Sequence, residues 1–144
     1  EIMKITLADI SNQKRRLATV TGASHIDAVA IGSPHLSMEE CRKLEGLLAG
    51  RKLATPFYAC TGRHVLKELE SSGLRGELEA SGVTIVVDTC VVATPIMAEL
   101  AKGVLMTNSG KFAQYAPGNT GYGVVFGSMA ECVESAVAGR PVYA

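Results

Sequence analysis

Residues 83–90 read VTIVVDTC, a mostly β-branched run too short for an ordinary helix that ends in an acid, a hydroxyl and a thiol. This is the pattern of a buried parallel strand that delivers Asp88, Thr89 and Cys90 at its carboxyl end. The plan recurs along the chain. Apolar runs alternate with amphipathic helical stretches, and each run finishes in small or polar residues: Gly32-Ser33-Pro34-His35, Tyr58-Ala59-Cys60-Thr61-Gly62 and Met106-Thr107-Asn108-Ser109. Strands separated by helices demand right-handed crossovers, which place helices on both faces of a mainly parallel sheet. The expected class is therefore a three-layer, Rossmann-like α/β domain. In an open sheet of that kind the strand ends share one edge, and ligands bind along it.

Local signals divide the chain further. Residues 3–6 suggest a short strand and 7–17 a helix with Leu7, Ile10, Lys14 and Leu17 on one face. Residues 26–32 form a strand that Pro34 is expected to stop. Ser37 and Glu40 have capping-box spacing for a helix that ends near Gly50. Residues 53–60 make the next strand, for which Pro56 argues an edge position or a bulge. Two short helices follow, separated by Gly73, before the 83–90 strand. Residues 95–103, opened by Pro95, are expected to form a helix, and 104–107 a fourth strand. Asn108 or Ser109 can cap a helix over 111–115, broken by Pro117-Gly118. Residues 124–127 form a last strand, and Ser128 with Glu131 caps a final helix to Gly139.

The totals bound the function. A chain of 144 residues with 47% apolar content suits one domain with a sizeable core, and fourteen basic residues against fourteen acidic leave no net charge. Lys14-Arg15-Arg16 is the one dense basic cluster, read as a solvated helix face, so neither a nucleic-acid surface nor a membrane partner is expected. No apolar run reaches the roughly 18 residues of a membrane span, and a cytoplasmic location is expected. The four cysteines form no CxxC pair and read as reduced thiols or metal ligands. Glu1 opens the chain without an initiator methionine, so residues 1–144 are read as a single α/β domain cut from a longer catalytic subunit.

Several residues could carry chemistry. Cys90, at a strand end near a helix start, is either a stabilised thiolate or a small core filler. Cys60 has a similar placement, but the register near Pro56 disfavours it as a ligand; Cys41 and Cys132 fall inside helices and read as core. Ser33 and His35 flank Pro34, and His35 is either an acid, a base or a substrate donor, or else a helix cap. Asn108, Ser109 and Lys111 form an anion cradle at a helix start, or ordinary capping beside an exposed lysine. Neither the phosphate-loop nor the dinucleotide glycine pattern is present. A thiol-dependent transferase with Cys90 as nucleophile, His35 as base and Asp88 as orienting acid is a further alternative.

Taken together, IGSPHLSMEE, VVDTC and MTNSGKFAQYAPG resemble the aconitase X family, in particular the carboxyl-terminal part of its large subunit, from about Ile26 to Gly139. The resemblance implies an aconitase-like fold and a hydro-lyase that uses an iron–sulfur centre to dehydrate a small hydroxy acid, either cis-3-hydroxy-L-proline or mevalonate 5-phosphate. It implies Cys90 as a metal ligand, and His35 and Lys111 as catalytic, with Ser33, Asn108 and Ser109 against the substrate. The family's GCPH motif would place a second cysteine where Ser33 stands here. Ser33 is then a further candidate ligand, weaker for iron than a thiolate, and Cys60 remains disfavoured. A small swivelling subunit or domain is implied as partner and as the source of the base, so the isolated domain is expected to be inactive and to bind iron weakly or not at all. The alternative reading is a non-catalytic anion-binding or subunit-assembly α/β module.

Overall fold

The computed structural model describes residues 2–98 and 103–143. Its elements in chain order are α1 (Leu7–Leu17), β1 (Ala28–Leu36), α2 (Met38–Leu48), β2 (Phe57–Thr61), α3 (Arg63–Ser72), α4 (Leu74–Ser81), β3 (Val83–Val87), β4 (Val104–Thr107), α5 (Gly110–Thr120), β5 (Gly123–Phe126) and α6 (Met129–Ala138). The strands form one parallel sheet in the order β3-β2-β1-β4-β5. From β1 the chain winds outward through β2 to β3, then crosses back to lay β4 on the other side of β1. The border between β1 and β4 is thus the point where the winding reverses, and a crevice opens there at the carboxyl ends of the strands.

Two apolar clusters sandwich the sheet. On one face Cys41, Leu44 and Leu48 of α2, Val65 and Leu69 of α3, Leu78 of α4 and Cys132 and Val133 of α6 pack on Val29, Ile31, Phe57 and Met106. On the other, Phe112, Ala113 and Ala116 of α5 cover Ala28, Ala30, Leu105 and Val124, and Val91 continues the layer over Cys60 and Val86. Alternate residues of β1 supply the two clusters, as the pleat requires. The three-layer α/β architecture with helices on both faces is therefore present. Helix starts are defined by side chains: capping boxes join Ser37 to Glu40 and Ser128 to Glu131, and Ser109 accepts the Phe112 amide.

The structure corrects several expectations. β3 is an edge strand rather than a buried one, and it stops at Val87, because Asp88 turns the chain into the left-handed region at φ 58°. Pro34 does not end β1. The strand bulges and rejoins the ladder at Leu36, where a missing amide costs nothing because the bulged residues make no ladder bonds. Pro56 precedes β2, leaving an interior strand in regular register with β3, so neither an edge position nor a bulge results. α5 runs through Pro117 to Thr120; its apolar stripe is held on the sheet, which outweighs one forfeited backbone bond. Residues 3–6 are irregular and exposed because no neighbouring strand offers a ladder. Residues 95–98 are also irregular, and positions 99–102 of the expected helix lie outside the described residues. Lys14 is not simply solvated, since its Nζ donates to Glu131 Oε2 at 3.0 Å.

Candidate functional site

At the carboxyl end of β1, Ile31 pairs with Ala59 and the next paired residue is Leu36 with Thr61. Residues 32–35 therefore bulge out opposite the single residue Cys60. Gly32 permits this. It has φ +80°, and a Cβ there would lie 2.3 Å from the Cys60 carbonyl oxygen and 2.6 Å from Leu36 Cγ. The bulge carries Ser33, a cis Ser33–Pro34 bond and His35 to the rim. Thr61 Oγ1 closes its far side by donating to the Leu36 carbonyl at 2.7 Å, a fully buried bond.

The reversal point joins the bulge to α5. Ser109 Oγ donates to the Ser33 carbonyl at 3.4 Å while accepting the Phe112 amide at 3.3 Å, so one hydroxyl caps the helix and ties it to β1. Thr107 is buried and its Oγ1 accepts the Ser109 amide at 3.2 Å. Asn108 is half-buried beside this contact, and Lys111 is exposed in the first turn of α5. The helix amino terminus and this ammonium make the local potential favourable for an anion.

From the other side, residues beyond β3 fold toward the bulge. The Cys90 thiol points at Ser33 Oγ, 3.9 Å away. Cys60 is buried beneath the rim, in the apolar cluster against which Cys90 packs. Burial first, and the neighbouring Cys90 second, push the Cys60 thiol up to about 11, against the lowering effect of the Val91 amide. Asp88 accepts the Arg63 backbone amide at 2.9 Å and the Arg63 Nε at 2.6 Å. Those two bonds, with His35 nearby, hold its carboxyl below the usual aspartate range. Asp88 thereby caps α3, whose own N-cap is Gly62 with no side chain to do so.

Ser33, Cys60, Cys90 and Ser109 are brought together at one point, and Asn108 flanks them. His35 stands on the same bulge toward Asp88 and Gly62, where a Cβ on Gly62 would lie 3.7 Å from His35 Nδ1. His25 and His64 are exposed, while Cys41 and Cys132 are buried in α2 and α6. The transferase triad does not assemble, since Cys90 faces Ser33 and Cys60 and Asp88 is committed to Arg63. Gly32, read in the sequence as a close-approach glycine, is one, whereas sequence reasoning missed Thr61 and the capping role of Asp88. The uncertain register that disfavoured Cys60 is resolved by its regular pairing with Val86. Among the described residues no group of three or more His, Cys, Asp and Glu side chains is placed to hold a metal ion; the rim offers two thiols and one hydroxyl. A cavity of about 180 Å³ lies elsewhere, under residues 91–98 against Asn119, Thr120 and Tyr122.

Comparison with known proteins finds relatives of this fold. A family model described as the aconitase X third domain matches residues 26–138. The chain is 40% identical over 123 residues to the cis-3-hydroxy-L-proline dehydratase of Pseudomonas aeruginosa, covering 83% of this chain and 21% of the relative. It is 31% identical over 134 residues to the phosphomevalonate dehydratase large subunit of Methanocaldococcus jannaschii, covering 93% of this chain and 32% of that one. The crystal structure of Thermococcus kodakaraensis aconitase X in its holo-form superposes with a TM-score of 0.78 at 25% identity, covering 93% of this chain and 34% of that chain. The chain thus spans between 21% and 34% of the length of these relatives.

Proposed function

The chain belongs to the aconitase X family, and from that premise we propose that it supplies one wall of the active site of a hydro-lyase that eliminates water from a small hydroxy acid. The observation that carries this is the convergence of Cys90, Ser33 and Ser109 at the winding reversal, within 3.9 and 3.4 Å contacts. Two thiols and a hydroxyl suit an iron–sulfur centre in kind, because soft sulfur donors are what such centres select. Cys90 and Ser33 would hold it, with the remaining ligands coming from the rest of a longer catalytic subunit. When bound, the centre supplies a Lewis acid that makes a substrate hydroxyl a better leaving group.

This chain's own residues bind and orient. The α5 amino terminus with Asn108, Ser109 and Lys111 receives the substrate's carboxylate, the ammonium neutralising it without fixing its geometry. Ser109 holds Ser33 in place through its carbonyl, so the wall and the anion site move as one. His35, exposed on the bulge, is positioned to carry a proton to or from the departing water, and a small swivelling subunit or domain closes over the rim with the base. Of the two substrate classes, we place cis-3-hydroxy-L-proline first, on the 40% identity to that dehydratase against 31% to the phosphomevalonate enzyme. No helix among the described residues is long and apolar enough to cross a membrane, and we assign a cytoplasmic location.

The test uses the whole polypeptide with any small subunit. We expect water elimination from cis-3-hydroxy-L-proline to exceed that from mevalonate 5-phosphate, and Cys90→Ser to abolish both turnover and the visible absorption of the iron centre. Unchanged turnover in Cys90→Ser would leave only an anion-binding or subunit-assembly module.

A further inference from the structure

The end of β2 touches both walls of the rim. Its Cys60 carbonyl closes against Gly32, where the bulge leaves β1, and its Thr61 hydroxyl donates to the Leu36 carbonyl at 2.7 Å, where the bulge returns. Residues 32–35, with Ser33 and His35, are thus pinned at both ends. Thr61 also holds the opposite wall. Its carbonyl accepts the Asp88 amide at 2.9 Å, at the residue where the chain leaves β3 with φ 58°. Two residues on, Arg63 binds the Asp88 carboxylate through its backbone amide at 2.9 Å and its Nε at 2.6 Å. The turn that follows is held internally, since the Cys90 carbonyl accepts the Ala93 and Thr94 amides at 2.9 and 3.1 Å and the Thr89 and Thr94 hydroxyls lie 2.6 Å apart. Cys90 then faces Ser33 Oγ at 3.9 Å. Thr61 is 1% exposed and its hydroxyl bond is buried, so removing the hydroxyl takes a partner from the Leu36 carbonyl out of reach of water.

We propose that Thr61 is the positioning residue of the rim, its hydroxyl fixing the bulge that presents Ser33 and His35 and its carbonyl fixing the turn that presents Cys90. The inference rests on the hydro-lyase reading above and adds a residue that reading does not use. Buried as it is, Thr61 acts only through the residues it holds. Bulges beside active sites aim side chains, and misplacing a reacting group by about 1 Å can cost about a hundredfold in rate. The anion site stands on α5, whose start is capped by Ser109, so substrate affinity should suffer less than turnover.

The test compares Thr61→Val, isosteric without the hydroxyl, with Thr61→Ala and Thr61→Ser in the full-length enzyme with any small subunit. Ser135→Ala, which removes a buried hydroxyl bonded to Val142 at the far end of α6, controls for destabilisation alone. We expect Thr61→Val and Thr61→Ala to lower kcat by about a hundredfold with KM little changed, and Thr61→Ser to restore most of it. The second readout is alkylation of Cys90 in the metal-free protein, followed by peptide mass spectrometry. It should quicken severalfold in Thr61→Val and Thr61→Ala and return to the parent rate in Thr61→Ser. If Thr61→Val does not fold, Thr61→Ala against Thr61→Ser isolates the same hydroxyl. Folded variants lacking the hydroxyl that turn over no worse than Ser135→Ala, while Cys90→Ser is inactive, would overturn the proposal and leave the hydro-lyase reading intact. Parent turnover in Cys90→Ser would remove that reading instead, and an unchanged rate of Cys90 alkylation would then overturn the positioning role as well.

Discussion

Gly32 shows how much one position can decide. At φ +80°, with the Cys60 carbonyl 2.3 Å and Leu36 Cγ 2.6 Å from any Cβ, alanine there incurs both a left-handed backbone penalty of about 1–2 kcal/mol and an overpacking cost of about 1–3 kcal/mol. Urea unfolding of Gly32→Ala should show a loss of more than about 2 kcal/mol, with Ser33 displaced from Cys90; a neutral result would mean the bulge is not rigid. Glu131 is a second such residue. It is buried, and its carboxylate accepts the Ser128 amide at 2.6 Å and Lys14 Nζ at 3.0 Å. Burial alone would raise its pKa, but these partners more than offset that and hold it below the ordinary glutamate value. A depressed folded-state pKa stabilises fully above the unfolded value of about 4.3 and is lost as pH falls through the folded one. Glu131→Gln should therefore cost about 1–3 kcal/mol at neutral pH, the lower part of that range because Lys14 is partly exposed. The gap in thermal midpoint from the parent should close below about pH 4.

At the scale of elements, helix starts set the geometry of the rim. α2 and α6 carry capping boxes that the sequence spacing announces, and Ser37→Ala should lower stability by about 1 kcal/mol in chemical denaturation. α3 is different: its N-cap is Gly62, and the cap comes from Asp88 across the ladder, a partner 25 positions away in sequence. Asp88 also sits at φ 58°, a conformation that costs asparagine less than alanine. Asp88→Ala should thus lower the melting temperature more than Asp88→Asn, which keeps both an acceptor and the backbone preference. Equal effects would show that the charge facing Arg63 matters more than the cap. The lesson for reading sequences is particular. Ser37 and Ser128 cap their own helices and are visible locally, whereas Asp88 and Thr61 act on elements that only folding brings near.

For the whole molecule, stability is unevenly distributed. α1 buries none of its residues, and Leu7 and Ile10 are exposed, so it is held mainly by Lys14 on Glu131 and by Leu17 near Gly110. Hydrogen exchange on the isolated chain should find α1 amides opening far more readily than those of β1 and β2, and protection equal to the core strands would contradict this. The alternation of apolar runs with helical stripes was enough, from sequence alone, to establish a parallel three-layer α/β sheet and to place Ser33, Cys90 and Ser109 at strand ends, because periodicity and turn residues are local properties. Strand order was not. Residues 83–90 look like the most buried segment, yet β3 lies at the edge and Phe57–Thr61, despite Pro56, lies inside. Neighbour identity depends on which crossovers pack against which face, a non-local balance that composition does not encode. The approach of Cys90 to Ser33 was likewise decided only in three dimensions, since it requires β1 to bulge at residues 32–35 while the chain beyond β3 folds back toward it.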